Sequence, residues 1–397
     1  MREDTLSVNS FHTSGSSPTA RCRVGLLGFG TVGSAVARRL TSDPASTLPT
    51  LELTHVFDRR ADAKRDAFAR TSALASTVTW TSRIDDLLTS GVDIIVEAIG
   101  GAGDAVEWTQ AALLAGKSVV TCNKQAVAEH GPALQRLAAQ QGRQLRFEAA
   151  VGGAMPIVRA VGEGLAGDRV TRIVAILNGT TNAVLSRMEV LGCPLEQALA
   201  EARARGYAEA DPSADLDGID ARAKLTILCA LAFGLHVTPG QIDARTSAGI
   251  GASDFEHARR RGGTIRQLAH ADYDPVRSRL TAWVAPAIVP RGSFFARTTG
   301  AQNAAVIPGA CAGDISLSGP GAGGGATAVA VIGDLLAIAR DRAAIVPAPR
   351  LSRPDTIIGL TAYSADGSSF DPLRTSGAGR LEPRSGRVDR CGKAEAV

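Results

Sequence analysis

The sequence predicts an α/β fold, with a doubly wound parallel sheet in its first part and an α+β unit after it. Three observations predict this. Between Arg23 and Glu148, short apolar runs alternate with helical patterns, as the strands and covering helices of a parallel sheet do. The first run ends in Gly28-x-Gly30-x-x-Gly33, where a helical pattern opens. After Gly152-Gly153 the alternation gives way to helical patterns that persist to Leu235. At 397 residues the chain is long for one domain and comfortable for two.

The elements follow in order. Val24–Leu27 reads as a strand, Ala35–Leu40 as a helix and Leu51–Phe57 as a second strand. Val92–Ile99 (VDIIVEAI) reads as a buried strand that runs into Gly100-Gly101. Ala105–Ala115 is helical, Ser118–Thr121 is a strand ending at Cys122-Asn123-Lys124, and a helix over 133–141 and a strand over 145–148 complete the series. Residues 21–152 therefore form the first domain. In the second, over 153–318, Thr171–Leu177 is strand-like and helical patterns run from Asn182 to Leu235 with a break near Asp211-Pro212. Leu280–Val284 and Ala304–Ile307 are further strands. A glycine-rich loop at Gly319–Gly325 precedes a helix from Thr327, and segment 327–345 is expected to pack back on the first domain. Residues 1–20, polar and rich in Ser and Thr, read as a flexible leader. Residues 346–397, rich in Pro, Ser, Gly and Arg, read as a disordered tail.

Composition excludes several classes. Hydrophobic residues make up 45% and charged residues 21%, so the chain is not wholly disordered. A net charge of +4 is too small to indicate nucleic acid without a patch, and only Arg259-Arg260-Arg261 offers one. No apolar run is long enough for a membrane span, and the first residues lack the apolar stretch of a signal peptide. Cys22, Cys122, Cys193, Cys229, Cys311 and Cys391 are scattered without a C-x-x-C, which reads as reduced thiols in the cytoplasm. The six histidines form no zinc-binding pair.

The first chemical motif is the glycine turn. Its first glycine allows the tight turn, the second lets backbone approach a pyrophosphate, and the third lets helix and strand pack closely. In this strand–turn–helix setting it marks a Rossmann-like dinucleotide site, with Gly28, Phe29, Gly30, Thr31, Val32 and Gly33 as candidate cofactor-binding residues. Asp58 ends the second strand 25 positions after Gly33, where an acid meets the ribose 2′-hydroxyl of NAD. Arg59 and Arg60 beside it suit the 2′-phosphate of NADP. The two signals conflict, and both cofactors, NADP or NAD, remain open. Gly100 closes a further strand on the same sheet edge.

Lysine is scarce. Of 43 basic residues only Lys64, Lys117, Lys124, Lys224 and Lys393 are lysines, which leaves 38 arginines. A lysine kept in such a chain is a candidate for chemistry that needs a compact ammonium. Lys124 lies at the carboxyl end of a strand, where ligands bind in open α/β sheets. Gly206–Asp220 holds five carboxylates, among them Glu209, Asp215 and Asp220, just before an apolar helix. Asp220 and Lys224 share one helix face at i,i+4. From spacing alone that pair reads first as an exposed salt bridge beside a solvated acidic loop. Its apolar surround, Leu225–Leu235, argues instead for an acid–base lysine at the edge of a buried helix.

Six segments together resemble homoserine dehydrogenase: Gly25–Gly33, Thr121-Cys-Asn-Lys124, Phe147–Gly153, Asn178-Gly-Thr-Thr-Asn182, Gly206–Lys224 and Gly319–Gly323. They occur in that family's order and span roughly residues 22–340. The resemblance implies NAD(P)-dependent interconversion of L-homoserine and L-aspartate 4-semialdehyde, on the route to threonine, methionine and isoleucine. It implies Lys224 as the proton donor or acceptor at the C4 oxygen, with Lys124 as a second lysine near nicotinamide and substrate. Glu209 and Asp220 would hold the substrate, supported by Asp215, and Gly206 and Gly321 would sit against the cofactor. Glu148, Val151, Gly153 and Met155 match a loop that binds sodium, mostly through backbone oxygens. The second domain would bind substrate and form a homodimer.

Some positions depart from the family pattern. Ala175 replaces a usual glycine, Ala183 stands where an aromatic is common, and Cys122 replaces alanine or proline. No ACT-type regulatory domain is recognisable after residue 346, so threonine feedback through one is expected to be weak or absent. Two rival readings are a related dehydrogenase acting on another semialdehyde or hydroxy acid, and a non-catalytic dinucleotide sensor. The sensor reading predicts loss of Lys124 or Lys224, and both are present.

Overall fold

The computed structural model describes residues 21–41, 50–70, 72 and 76–340, with the backbone of short strands at 359–360, 371–372, 374–375 and 381–382. The expected leader (1–20), most of the expected tail (346–397) and the continuation of the last helix over 341–345 lie outside the described residues.

The first sheet holds β1 (Cys22–Leu27), β2 (Leu51–Phe57), β3 (Thr79–Thr81), β4 (Ile94–Glu97), β5 (Ser118–Thr121) and β6 (Leu145–Arg146). Their order is β3-β2-β1-β4-β5-β6 and every pairing is parallel. This is the doubly wound order that leaves a crevice between β1 and β4 at the carboxyl strand ends. Val24, Leu26, Ile94, Val96 and Val120 are buried, as strands covered on both faces require. The crossovers are α1 (Thr31–Thr41), α2 (Ala61–Ala69), α3 (Ile84–Thr89), α4 (Gly103–Leu114) and α5 (Lys124–Gln140).

Several boundaries correct the sequence reading. The strand expected over Val92–Ile99 is the shorter β4, because the chain turns after Glu97 to form the Gly100-Gly101 loop. The helix expected from Ala133 starts at Lys124 and carries Pro132 inside it; Asn123 caps it by accepting from the Gln125 and Ala126 amides. Segment α2–β3–α3 was not anticipated. Its helix α2 buries only Ala61 and Phe68, so it shows no apolar stripe.

After β6 come a single turn at Glu148–Ala150 and a short helix, α6 (Ile157–Arg159). Next are β7 (Arg172–Ile176), α7 (Gly179–Leu191), α8 (Leu195–Ala204), α9 (Ser213–Leu216), α10 (Ile219–Phe233), β8 (Asp243–Ala244) and α11 (Ala252–Arg260). The chain then forms β9 (Gly263–Asp274), β10 (Arg279–Pro290), α12 (Phe294–Arg297), β11 (Gln302–Gly309), β12 (Gly313–Pro320) and α13 (Gly324–Ala339). The second sheet runs β12-β11-β7-β9-β10, with all of these pairs antiparallel. Ile173, Ala175, Ala269 and Ala271 on one face join a core with Leu225 and Leu228 of α10 and Val127 and Leu134 of α5, which ties the two sheets together. Val174, Ile176, Leu268, Trp283, Ala285 and Ala287 point to the other face, where Phe295 of α12 packs. Helix α13 returns to the first sheet, burying Ala328, Val331 and Leu335 with Val24, Val36 and Val56.

Candidate active site

The glycine turn is built as a dinucleotide turn needs. Gly28 has φ +107°, and a Cβ on it would lie 2.8 Å from the Ala98 carbonyl oxygen. A Cβ on Gly33 would lie 2.1 Å from the Gly28 carbonyl oxygen, so only glycine lets α1 begin this close to β1. A cleft of about 450 Å³ opens at these strand ends. Gly28, Phe29, Gly30, Asp58, Arg59 and Gly100 line it, together with Arg60, Lys64 and Asp104, which also face this space.

Phe29 contributes its backbone there. Its ring stacks edge-on against Phe68 and Trp80 in the core. Asp58 accepts from the Phe29 amide at 3.0 Å and the Arg60 amide at 2.9 Å, which fixes the glycine loop to the end of β2. Arg59 pairs with Asp104 across the mouth. Thr31, Val32 and Gly33 do not line the cleft: Val32, in the first turn of α1, packs on the core, and Gly33 acts by its lack of a side chain.

Lys124 is the first residue of α5. Asn123 before it donates to the carbonyl of Gly101, a cleft residue, so the lysine sits at the edge of the cleft. Its Nζ lies 2.7 Å from Oδ1 of Asp220, while Nζ of Lys224 lies 2.6 Å from Oδ2 of the same carboxylate. Lys224 also donates to the Leu177 carbonyl at 2.8 Å. Asp220 is only 7% exposed, so the pair is no exposed salt bridge.

Burial alone would push the Asp220 carboxyl up, but the Lys224 and Lys124 ammoniums outweigh it and hold the group well below the usual carboxylate range. Burial likewise opposes the charge on Lys124, yet Asp220, with Asp215 and Glu209 farther off, raises it above the ordinary lysine value. Asp215 is pushed up by burial, partly offset by its hydrogen bond from Asn178.

Asn178 was not singled out by sequence. Its Nδ2 donates to Asp215 at 2.7 Å and Asp220 at 2.9 Å, and its Oδ1 accepts from the Thr181 amide and caps α7. The signals available were its place at the head of the Asn178–Asn182 segment and an Asn ahead of a helix, which by itself reads as a cap.

Glu209 is exposed, on a loop held by Arg203 through the Glu209 and Ala210 carbonyls and by Thr180 through the Tyr207 carbonyl. Gly206 starts that loop at φ +74°, and neither it nor Gly321 lines the cleft. The start of α13, just after Gly321, does reach α1: a Cβ on Gly324 would lie 2.7 Å from the Thr31 carbonyl oxygen.

Glu148, Val151, Gly153 and Met155 share one loop, which meets the 319–321 loop through the Ala154 amide and the Pro320 carbonyl at 3.1 Å. The Glu148 carboxylate accepts the Val158 and Arg159 amides at 2.9 Å, one on each oxygen.

Residues 28–148 match the family model described as homoserine dehydrogenase, NAD binding domain, and residues 156–336 match that described as homoserine dehydrogenase. The homoserine dehydrogenase of Corynebacterium glutamicum is 37% identical over 345 residues, covering 85% of this chain and 76% of that protein. The crystal structure of a homoserine dehydrogenase from Thiobacillus denitrificans superposes with a TM-score of 0.78 at 33% identity, covering 86% of this chain and 79% of the other. A hyperthermophilic archaeal homoserine dehydrogenase solved in complex with NADPH gives 0.67 at 27% identity, covering 81% and 98%. No helix among the described residues is long and apolar enough to cross a membrane. The chain belongs to the homoserine dehydrogenase family, NAD(P)-dependent oxidoreductases that interconvert L-homoserine and L-aspartate 4-semialdehyde.

Proposed function

We propose that Lys224 moves the proton at the C4 oxygen, with Lys124 beside it and Asp220, Asp215 and Glu209 holding the substrate ammonium. The observation that carries this reading is the buried Asp220 carboxylate clasped by both lysine ammoniums at the cleft edge. The nicotinamide, when bound, supplies the hydride acceptor or donor. In reduction, the aldehyde oxygen gains alkoxide character and takes a proton from Lys224, whose compact ammonium can release one where a guanidinium cannot. In oxidation, neutral Lys224 accepts the hydroxyl proton as the C4 hydrogen leaves with its electron pair. Asp220 orients both lysines, and Asn178 orients Asp220 and Asp215. Steady-state oxidation of L-homoserine separates the roles: Lys224→Ala lowers kcat, whereas Glu209→Ala raises KM. The opposite split contradicts the assignment.

The cleft suits either cofactor, since Asp58 can face a ribose hydroxyl and Arg59 and Arg60 a 2′-phosphate. A preference in kcat/KM above about a thousandfold for one cofactor would overturn this. A sodium ion at the 148–155 loop would rest on main-chain oxygens, in keeping with the prior engagement of the Glu148 carboxylate. Equal thermal stability in sodium and choline chloride argues against that site. A homodimer is the assembly the family resemblance implies, which sedimentation of a monomer at micromolar concentration would refute. Free Cys22, Cys122, Cys193, Cys229 and Cys311 support a cytoplasmic setting, which a membrane or secreted fraction carrying the protein would contradict.

A further inference from the structure

Glu97 ends β4 and is 1% exposed, in a strand whose other residues, Ile94–Val96, are apolar. A packing position there would hold another aliphatic residue. A buried carboxylate costs free energy unless donors surround it. Here they come from two different loops. Oε1 accepts from the Ile99 amide at 3.0 Å and the Gly100 amide at 3.4 Å, on the turn that faces the cleft. Oε2 accepts from the Thr121 hydroxyl at 2.5 Å, at the end of β5.

The Thr121 hydroxyl oxygen in turn accepts from the Asn123 amide at 2.9 Å. The Asn123 side chain donates back to Gly101 and caps α5 through the Gln125 and Ala126 amides at 3.1 Å each. Lys124 is the next residue. Burial pushes the Glu97 carboxyl up, and the Thr121, Ile99 and Gly100 donors work against that push.

We propose that Glu97 is a positioning residue for the reaction: its carboxylate locks the Gly100-Gly101 turn of the dinucleotide cleft to the Thr121–Asn123 turn, and so sets where the Lys124 ammonium stands relative to bound cofactor. Glu97 itself touches neither substrate nor cofactor. The inference rests on the assignment of Lys124 to the active site. It explains why an acid occupies an apolar strand, and why Asn123 both caps a helix and reaches across to Gly101.

The test is a double-mutant cycle read by steady-state homoserine oxidation, with cofactor affinity followed separately by fluorescence titration. Glu97→Ala lowers kcat by about ten- to a hundredfold in the wild-type background, the cost of a misplaced catalytic group. In a Lys124→Ala background the same substitution changes kcat by less than about threefold, because there is no lysine left to misplace. Glu97→Gln, which keeps one carbonyl acceptor, restores part of the loss, and carries the cycle if Glu97→Ala does not fold. Equal factors in both backgrounds overturn the proposal while leaving Lys124 in the site. Wild-type turnover by Lys124→Ala alone overturns the Lys124 assignment, and the proposal with it.

Discussion

Replacing Asp220 by asparagine removes the charge that both lysines face while keeping the side chain's size. The contacts at 2.6 and 2.7 Å set the scale. At an effective dielectric of about 20, each is a gross attraction of about 6 kcal/mol. Desolvation of the three groups offsets much of that, and losing one partner of a buried ion pair costs about 3–5 kcal/mol. Lys124, with 40% of its side chain exposed, is screened by water and adds less than Lys224 at 12%. The substitution is therefore expected to lower Tm by roughly 5–15 °C. Because Lys224 also loses its orientation, kcat should fall by about a hundredfold or more.

Asp220's native value lies below its unfolded one, so its contribution is present above the ordinary carboxylate range and is lost only as pH falls beneath it. The Tm deficit of the variant should thus persist unchanged across neutral pH. Thermal unfolding by circular dichroism and homoserine oxidation on the same preparations measure both effects. A variant within about 2 °C of the wild-type Tm and within about tenfold of its kcat would refute the reasoning.

Other consequences follow from the same geometry. Asn178→Asp keeps the cap on α7 but sets a third carboxylate against Asp215 and Asp220, so it should destabilise more than Asn178→Ala, whose lost cap costs about 1 kcal/mol; equal Tm values would contradict this. Gly33→Ala drives a Cβ against the Gly28 carbonyl and should weaken dinucleotide binding, which unchanged fluorescence titration would disprove. His270, stacked on Trp283 at 5.0 Å, is held down to about 4 from 6.5 by burial, with Asp272 opposing. Its neutral form favours the fold, so the stability it contributes is full above pH 6.5 and fades as pH falls toward 4. Against His270→Phe, the wild type should lose up to about 3 kcal/mol of relative stability across that window; parallel pH profiles would count against it.

The first sheet and its glycine turn were legible because a parallel sheet covered on both faces writes itself as apolar runs, and because φ +107° at Gly28 admits few other residues. Strand β9 was not legible. It carries Arg266, Gln267 and His270, all buried: Arg266 pairs with Glu189, and Gln267 donates to the Leu216 carbonyl. Buried polar residues whose contacts lie on distant segments erase the alternation that marks a strand.

The lysine pair and its carboxylates were found from scarcity and spacing, with their roles drawn from the family resemblance. That Asp220 stands between both lysines could not be read, since Lys124 and Asp220 are 96 positions apart. Asn178 and Glu97 escaped for a related reason. Each holds groups from separate segments, so neither shows its partners in its own neighbourhood.

The most direct measurement is turnover of L-homoserine with NADP and with NAD by the wild type and by Lys224→Ala, with cofactor affinity measured on both. Robust wild-type turnover, lost by about a hundredfold or more in a variant that still binds cofactor, is the predicted result. Wild-type turnover that survives the loss of Lys224 would contradict the assignment of the proton to that lysine.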